Sequence, residues 1–328
     1  PDTAGPDGHA LVGCVAVAMA QVMNYWEHPW KGTGSHSYSH PDYGTQSANF
    51  GNAVYNFDNM PDSATAYHDD IAQLMYHCAV SVDMDFGPDG SGAWGWGNND
   101  VSNALKDHFY YNSGADDITR SSYSTTWVDK MKENLDLNRP VIYGARDNQE
   151  DAGHAWILDA YTTGDMFHCN WGWYGNFNGF YSIDDFSVDG YTFDVWEHAC
   201  VKIRPKTASV NGTWDLAGSP YHIFYNHVVD PGNQLIIEPG VEVFFEGRYK
   251  LEVQGRLEAV GTPTDTIFFN VSDPAIGSRG IRFIDLNNQT ADSSKLAYCR
   301  IDNGYGNYLE VMGLGSTYGG GIFSETSK

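Results

Sequence analysis

The most constraining feature of the sequence is a change of pattern within residues 200–216, "CVKIRPKTASVNGTWDL". Before this segment, runs with apolar residues at helical spacing precede strand-like runs. After about Pro205 the helical spacing disappears, and short alternating strands follow one another between Gly, Pro and Asn residues. A chain of 328 residues suits one large domain or two ordinary ones. We therefore predict two domains, residues 1–205 and 206–328.

The composition limits the class of protein. Hydrophobic residues make up 41% of the chain, which is ample for buried cores. The formal net charge of -24 argues against nucleic-acid binding and against docking on anionic membranes. The one long uncharged stretch, from His9 to Trp26, contains His, Gln, Asn and Gly. It therefore predicts a buried central helix and no membrane insertion.

The first domain shows helical patterns followed by strand patterns. The helical patterns are Cys14–Tyr25, residues 66–82 and residues 99–111. The strand-like runs are "RPVIYGA", "HAWILDAY", "DMFHCNW", "GFYSI" and "HACVKI". Helices first and antiparallel-looking strands later indicate an α+β fold.

The second region reads as a repeat of short strands. Several strands recur with a period of about twenty residues, which is typical of a solenoid. The stretch "PGVEVFFEG", with "LEVQGRLEAVGT" after it, resembles the opening coils of right-handed parallel β-helix domains of secreted proteins. A β-sandwich is the alternative.

We expect the chain to be a piece of a longer protein. It has no initiator Met and no signal peptide, and its last residues, "GGGIFSETSK", stop within the strand pattern. We therefore expect the first domain to be truncated at its N-terminus and the second at its C-terminus.

The five cysteines are scattered, odd in number and without a CxxC pair. They indicate neither a disulfide framework nor a zinc site, and most are expected to be buried free thiols. Cys14 differs because it opens an apolar helix, where unpaired N–H groups and the helix dipole favour a thiolate. Gly13 before it leaves room for a substrate. The alternative is that Cys14 is a core thiol.

A histidine at the head of a strand, His154 in "AGHAWILDAY", is the second candidate. A cysteine hydrolase needs a thiolate that attacks the scissile carbonyl and an imidazolium that protonates the leaving amine. Cys14 on a helix and His154 on a strand fit this arrangement. The alternative for His154 is a hydrogen-bonded core histidine. The twelve histidines form no HExxH motif, which argues against a metallopeptidase.

Five segments, in this order, resemble the streptopain family (peptidase family C10) of secreted bacterial cysteine peptidases. They are "GCVAVAMAQVMNYWEHPWKG", "AVSVDMDFGPDGSGAWGWG", "NRPVIYGA", "GHAWILDAY" and "FHCNWGWYGNFNGFYSI". The resemblance covers roughly residues 6 to 205. It implies a papain-like α+β fold with a Cys–His dyad.

By this resemblance Cys14 is the nucleophile and His154 the general acid/base. Trp171 matches the family's tryptophan beside the catalytic histidine, where an indole can exclude water from the ion pair. Asn170 is given a supporting role. The backbone N–H of Cys14 is expected to donate to the oxyanion, and Trp173 is either core or cleft wall.

The resemblance also implies substrate-binding residues. Gly153 precedes the histidine, and Ser91, Gly92 and Ala93 lie in the small-residue loop after "DMDFGP", with Trp94 nearby. A wall of small residues admits an extended peptide backbone. The alternative for this loop is an ordinary glycine-rich surface loop.

The chain departs from the family at three places. Only thirteen residues precede Cys14. Streptopain carries an oxyanion-side glutamine upstream of the histidine, whereas this chain has Gly144 after "PVIY" and Gln149 in a longer loop, so the second oxyanion donor is open. The family's glycine-rich loop near the end of the peptidase domain is not evident before "DVWEHAC".

Together these features predict a secreted or cell-surface bacterial cysteine endopeptidase. It would cleave protein or peptide substrates through a Cys14 thiolate and His154 imidazolium and a thioester acyl-enzyme, without a cofactor. An inhibitory propeptide is expected in the precursor. One alternative is a non-catalytic surface-binding protein in which the β-helix binds ligand and the peptidase fold is a scaffold. Another is a transpeptidase or amidase with a different acyl acceptor.

Overall fold

The computed structural model describes residues 4–61, 64, 66–93, 100–147, 149, 152–285, 294–304, 308–309, 316–317 and 321–326. The chain divides into two compact units, Pro1–Pro205 and Lys206–Lys328. Each unit is described below by itself.

The first unit contains four α-helices and nine strands within the described ranges. In chain order they are α1 (Cys14–Trp26), β1 (His36–His40), β2 (Gly44–Ala48), α2 (Asp69–Ser81), α3 (Asp100–His108), β3 (Asp116–Thr119), α4 (Trp127–Asp136), β4 (Val141–Asp147), β5 (Gly153–Tyr161), β6 (Met166–Asn170), β7 (Gly179–Ser182), β8 (Ser187–Val188) and β9 (Tyr191–Val201).

Helix α1 is buried over most of its surface, as its lack of charge predicts. Seven of its thirteen residues are buried, and the helix packs against α2 and β5. It ends at Glu27, whose left-handed backbone (φ 46°) lets its N–H bond to the carbonyls of Asn24 and Met23. None of the helices in the described ranges is long and apolar enough to cross a membrane.

The core of the first unit is an antiparallel sheet in the order β3-β9-β4-β5-β6-β7, with β8 paired to β9. Strands β4 and β5 are in register through Gly144↔Ala155 and Ala145↔His154. Because register partners share a face of a sheet, Gly144 and Ala155 lie on one face and Ala145 and His154 on the other.

Helix α4 is not among the helical patterns predicted from the sequence. Its segment "WVDKMKENLD" carries five charges, although its four apolar residues are at helical spacing. Its Trp127 and Met131, four residues apart, are buried in the aromatic core of the sheet. The Trp127 indole N–H donates to the Tyr143 hydroxyl at 2.9 Å, which satisfies the polar atom inside this core.

The second unit is built from short strands. They are β10 (Thr207–Ser209), β11 (Gly212–Trp214), β12 (Tyr221–Ile223), β13 (Asn226–Val229), β14 (Gln234–Ile237), β15 (Glu242–Phe245), β16 (Lys250–Val253), β17 (Arg256–Val260), β18 (Ile267–Val271), β19 (Gly280–Asp285), β20 (Lys295–Ala297), β21 (Cys299–Ile301), β22 (Tyr308–Leu309), β23 (Ser316–Thr317) and β24 (Ile322–Thr326).

From β10 to β21, successive strands of the second unit join three different sheets in turn, whereas β22 and β23 pair with each other in an antiparallel ribbon. The sheets are β10-β13-β16-β19-β24, β11-β14-β17-β20 and β12-β15-β18-β21, and every pairing within them is parallel. A sandwich is built from antiparallel sheets, so this pairing disfavours the alternative. The strands alternate in burial; for example, Val243 and Phe245 are buried while Glu242 is exposed.

Neighbouring residues of β14 provide a test of this core. Leu235 is fully buried and Ile236 is 37% exposed. We expect Leu235→Ala to cost about 2–5 kcal/mol of local stability because it leaves a cavity. Ile236→Ala should cost about 1 kcal/mol or less. Hydrogen-exchange mass spectrometry of peptides from residues 234–260 measures both, and equal losses would contradict the assigned inward face.

Candidate active site

Cys14 is the first residue of α1 and reaches the surface of a cleft. The residue is partly exposed to solvent, but its sulfur is surrounded by protein. This burial raises the pKa of the thiol, while hydrogen bonds from the backbone N–H groups of Ala155, Val15 and Cys14 itself lower it. The helix N-terminus and β5 therefore partly offset the cost of a thiolate at this position.

The packing around position 13 requires a glycine, in addition to the room for a substrate that the sequence suggested. It has a left-handed backbone (φ 91°), and a Cβ there would lie 2.7 Å from the Met84 sulfur and 3.1 Å from the Ser91 carbonyl oxygen. The segment before α1 is thus pressed against the loop that carries Ser91.

Aromatic rings surround the imidazole of His154. Its ring centroid lies 4.5 Å from that of Trp173, 5.7 Å from Phe193 and 6.0 Å from Trp171. Burial lowers the pKa of His154 to about 4, although a hydrogen bond to the Trp171 carbonyl opposes the shift. The imidazole is therefore neutral at neutral pH before substrate binds.

The tautomer of His154 follows from its partner. Nε2 lies 2.8 Å from the backbone oxygen of Trp171. A carbonyl oxygen only accepts, so Nε2 carries the proton and Nδ1 is the basic nitrogen.

The cleft has a volume of about 310 Å³ and is lined by residues from both halves of the first unit. It brings together six of the residues singled out from the sequence: Cys14, Ser91, Gly92, Ala93, Gly153 and His154. Trp94 lies outside the described residues. Within the described part of the chain, no group of three or more His, Cys, Asp or Glu side chains could hold a metal ion.

Trp171 and Asn170 lie beneath the cleft and do not line it. Trp171 is fully buried, and its ring is nearly parallel to that of His154, at 20°. Asn170 Oδ1 accepts from the Gly172 N–H at 3.1 Å and from the Gln21 amide at 3.4 Å. These bonds tie β6 to α1, and no hydrogen bond joins Asn170 to His154 among the described residues.

The small-residue loop is fixed by its own hydrogen bonds. The Ser91 hydroxyl donates to the Leu11 carbonyl at 2.6 Å and accepts from the Gly87 N–H at 3.0 Å. Gly92 exchanges both backbone hydrogen bonds with Asp85, at 2.8 and 3.1 Å. Ser91 thus holds the segment that leads to Cys14, and the loop backbone is formed before substrate arrives.

Six further residues line the cleft and were not singled out from the sequence. Three of them are the small apolar residues Val15, Ala145 and Ala155, and the other three are Arg146, Trp196 and His198. His198 pairs with Gly144 across β9 and β4, and a Cβ on Gly144 would lie 2.7 Å from His198 Nε2. The imidazole therefore occupies the room that a side chain at position 144 would need. In the sequence, the triplet "WEH" places polar residues within a strand, which is a signal for His198. Only the pairing of β9 with β4 shows that His198 lies opposite Gly144.

Comparison with known proteins agrees with this geometry. The family model described as the peptidase C10 family matches residues 1–181. The chain belongs to the peptidase C10 family. This confirms the resemblance drawn from the sequence, although it does not extend to the second unit.

Relatives and solved structures point the same way. Streptopain of Streptococcus pyogenes is 32% identical over 217 residues, which cover 60% of this chain and 53% of the relative. A thiol protease/hemagglutinin of Porphyromonas gingivalis, PrtT, is 35% identical over 184 residues, 53% of this chain and 20% of the relative. The chain spans about half the length of streptopain.

The structure of active wild-type interpain A, a cysteine protease of Prevotella intermedia, is similar with a TM-score of 0.55 and 33% identity. The match covers 61% of this chain and 87% of that chain. It confirms the papain-like mixed α/β architecture of the first unit.

Gly13 and Gly8 form a matched pair of left-handed glycines for a test. Gly8 has φ 77° and nothing within 4 Å of an added Cβ. Gly8→Ala should therefore cost only the left-handed strain, about 1–2 kcal/mol. Gly13→Ala adds overpacking against Met84, about 1–3 kcal/mol more, and should also slow alkylation of Cys14. Urea denaturation and the rate of iodoacetamide modification measure the two effects. Equal costs would mean that the Gly13 contacts do not constrain the site.

Proposed function

We propose that the first unit is a cysteine endopeptidase that hydrolyses peptide bonds with Cys14 as nucleophile and His154 as general base and acid. One observation carries the proposal: the Cys14 thiol, at the N-terminus of α1, and the His154 imidazole line the same cleft. Nε2 of His154 is hydrogen-bonded to the Trp171 carbonyl, which leaves Nδ1 as the basic nitrogen. Membership of the peptidase C10 family supports the same reaction class.

The acylation step follows from the tautomer of His154. Because burial favours the neutral forms of both groups, we place proton transfer at the attack step. The Cys14 sulfur bonds to the carbonyl carbon while its proton passes to Nδ1, and this transfer forms the thiolate–imidazolium pair. The developing oxyanion would be met by the backbone N–H of Cys14 at the start of α1.

Collapse of the tetrahedral species breaks the C–N bond. The Nδ1 proton goes to the leaving amine, and a thioester on Cys14 remains. A water molecule then attacks the thioester as Nδ1 takes its proton. The C–S bond breaks, the carboxylic acid leaves and the proton returns to the sulfur. No cofactor enters any of these steps.

Trp171 and Asn170 act in this proposal by positioning. The Trp171 carbonyl holds Nε2, and its indole beneath the ring keeps water from that side of the imidazole. Asn170 supports the turn that carries Trp171, through its bond to the Gly172 N–H. Gly153 and the loop of Ser91, Gly92 and Ala93 would accept an extended peptide backbone.

We also propose that the two units are two domains, 1–205 and 206–328, and that the second is the start of a right-handed parallel β-helix. From β10 to β21, the return of every third strand to the same parallel sheet supports this assignment. By family resemblance we also propose that the protein acts on protein or peptide substrates and that it is secreted or displayed at a bacterial surface. The same resemblance leads us to propose an inhibitory propeptide in the precursor. The scaffold alternative is less favoured because the relatives named above are proteases.

Labelling with an epoxide inhibitor of cysteine peptidases tests the proposal directly. We expect one adduct per chain, on Cys14, and none in Cys14→Ala or His154→Ala. Cys299, also partly exposed, is the matched control, since it lies at no helix N-terminus and Cys299→Ala should label as the parent does. Intact mass and peptide mapping give the result. A folded parent that takes no adduct would refute the proposal. Turnover with added amines separates hydrolysis from transpeptidation.

The pH dependence of kcat/KM is a second test. A base whose pKa is lowered to about 4 is neutral above that pH. Peptide hydrolysis should therefore be retained as pH falls through the ordinary histidine value of about 6.5 and be lost near pH 4. His198→Asn should leave the midpoint of this limb in place, whatever the absolute rate. An acid limb near pH 6.5 on a protein folded by circular dichroism would contradict His154 as a desolvated base.

A further inference from the structure

The hairpin of β1 and β2 places one face of β1 against the segment that joins α2 to the small-residue loop. Side chains alternate along a strand, so His36, Tyr38 and His40 share this face, while the two residues between them are exposed. The three side chains contact three successive residues of the segment. In order, they are hydrogen-bonded to the Asp83 carboxylate, the Met84 carbonyl and the Asp85 carboxylate, at 2.6, 2.5 and 3.0 Å. The face of β1 thus holds this segment residue by residue.

His40 is the most deeply buried of the three residues, with only 1% of its side chain exposed. Its Nδ1 accepts from the backbone N–H groups of Asp42 and Tyr43, at 3.1 and 3.2 Å. Nε2 therefore carries the proton and donates to the carboxylate of Asp85. A buried ring that has both nitrogens hydrogen-bonded is fixed in one orientation, and it fixes the position of Asp85, whose side chain is 45% exposed.

Asp85 links β1 to the small-residue loop. Its backbone N–H donates to the Gly92 carbonyl at 2.8 Å, and its carbonyl accepts from the Gly92 N–H at 3.1 Å. Successive residues of an extended strand direct their backbone groups to opposite sides. The backbone groups of Ser91 and Ala93 therefore point away from Asp85. The Ser91 carbonyl oxygen accordingly lies beside Gly13, where it would be 3.1 Å from an added Cβ.

The loop depends on such contacts because it is rich in glycine. Gly87, Gly90 and Gly92 all lie in this short segment, and glycine loses more conformational freedom on ordering than any other residue. A loop that is ordered before the substrate arrives spares the binding step this entropic cost. His40 is separated by only two contacts from the backbone that would bind the peptide.

We propose that His40 is a positioning residue for substrate binding. Through Asp85 and Gly92 it holds the backbone of Ser91 and Ala93 in the extended form that receives the peptide. Its effect is therefore on the affinity for the peptide and not on the reactivity of Cys14. This proposal rests on the peptidase function proposed above and adds a residue outside the cleft on which that function depends.

Alkylation of Cys14 by a trialanine fluoromethyl ketone, followed by intact mass, provides the test. Its concentration dependence gives KI, which reports peptide binding, and kinact, which reports the chemical step. Asp85→Ala removes the acceptor of the His40 bond from a half-exposed position and keeps the backbone pair with Gly92. We expect KI to rise about 5- to 10-fold, with kinact and the rate of iodoacetamide modification within about twofold of the parent. Hydrogen exchange of a peptide covering residues 86–93 should become faster.

Further variants separate positioning from a general structural role. Asp85→Asn keeps an acceptor oxygen for the His40 N–H and should restore KI to within about twofold of the parent. His40→Ala should raise KI as Asp85→Ala does, and the double variant should raise it no further, because both changes remove the same bond. His36→Ala is the matched control. It breaks the neighbouring bond to Asp83, whose own N–H donates back to the Val80 carbonyl of α2, and it should leave KI unchanged.

The outcomes distinguish the two proposals. An unchanged KI in Asp85→Ala overturns the role of His40 and leaves the peptidase function standing. An equal rise of KI in His36→Ala, or a loss confined to kinact, makes the hairpin a general support of the fold and also overturns it. If His40→Ala does not fold, the comparison of Asp85→Ala with Asp85→Asn still decides the question. Failure of the peptide reagent to modify parent Cys14, while iodoacetamide does so, overturns the peptidase function and this proposal together.

Discussion

The seating of the uncharged helix α1 against strand β5 is the contact on which the geometry of the cleft depends. It places the thiol of Cys14 where the Ala155 N–H donates to it, and Ala155 follows His154 directly along the strand. The proposed nucleophile, Cys14, and the proposed base, His154, are therefore positioned by one helix–strand contact. Only a helix without charges can be buried this fully, which explains why the sequence keeps charge out of the stretch from His9 to Trp26.

The same burial creates an electrostatic conflict at the site. It raises the pKa of Cys14 and lowers that of His154, so each group alone is driven toward its neutral form. The backbone N–H donors around the sulfur and the Trp171 carbonyl at Nε2 act in the opposite direction. Charge separation is thus costly at rest, and in the proposed mechanism it would become favourable only when a substrate provides the carbonyl that consumes the thiolate.

How much could be predicted from the sequence depends on how local each signal is. The buried helix, Cys14, His154 and the small-residue loop follow from short motifs, and they meet in the cleft. Helix α4 was missed because five charges in ten residues make the segment polar on average, although its four apolar residues are at helical spacing. Trp196 and His198 were missed because their positions depend on how β9 pairs with β4, including a register shift between Gly144 and Arg146. Register is set by contacts between strands remote in sequence.

In the second unit, parallel stacking explains both the repeat and its polar residues. In a parallel sheet, residues in register lie over one another, so like charges would stack unless the sequence alternates them. Glu258 lies in register with Lys295 of the neighbouring strand, and Glu252 lies in register with Arg282. Burial raises the pKa of Glu252, but Lys250 above all, with Gln254 and Arg282, lowers it below its usual value. Inside, Leu251 lies over His227 and under Ile281. In a chain with 42 acidic and 18 basic residues, a cation in register with each of these two carboxylates avoids a like-charge contact between the neighbouring parallel strands.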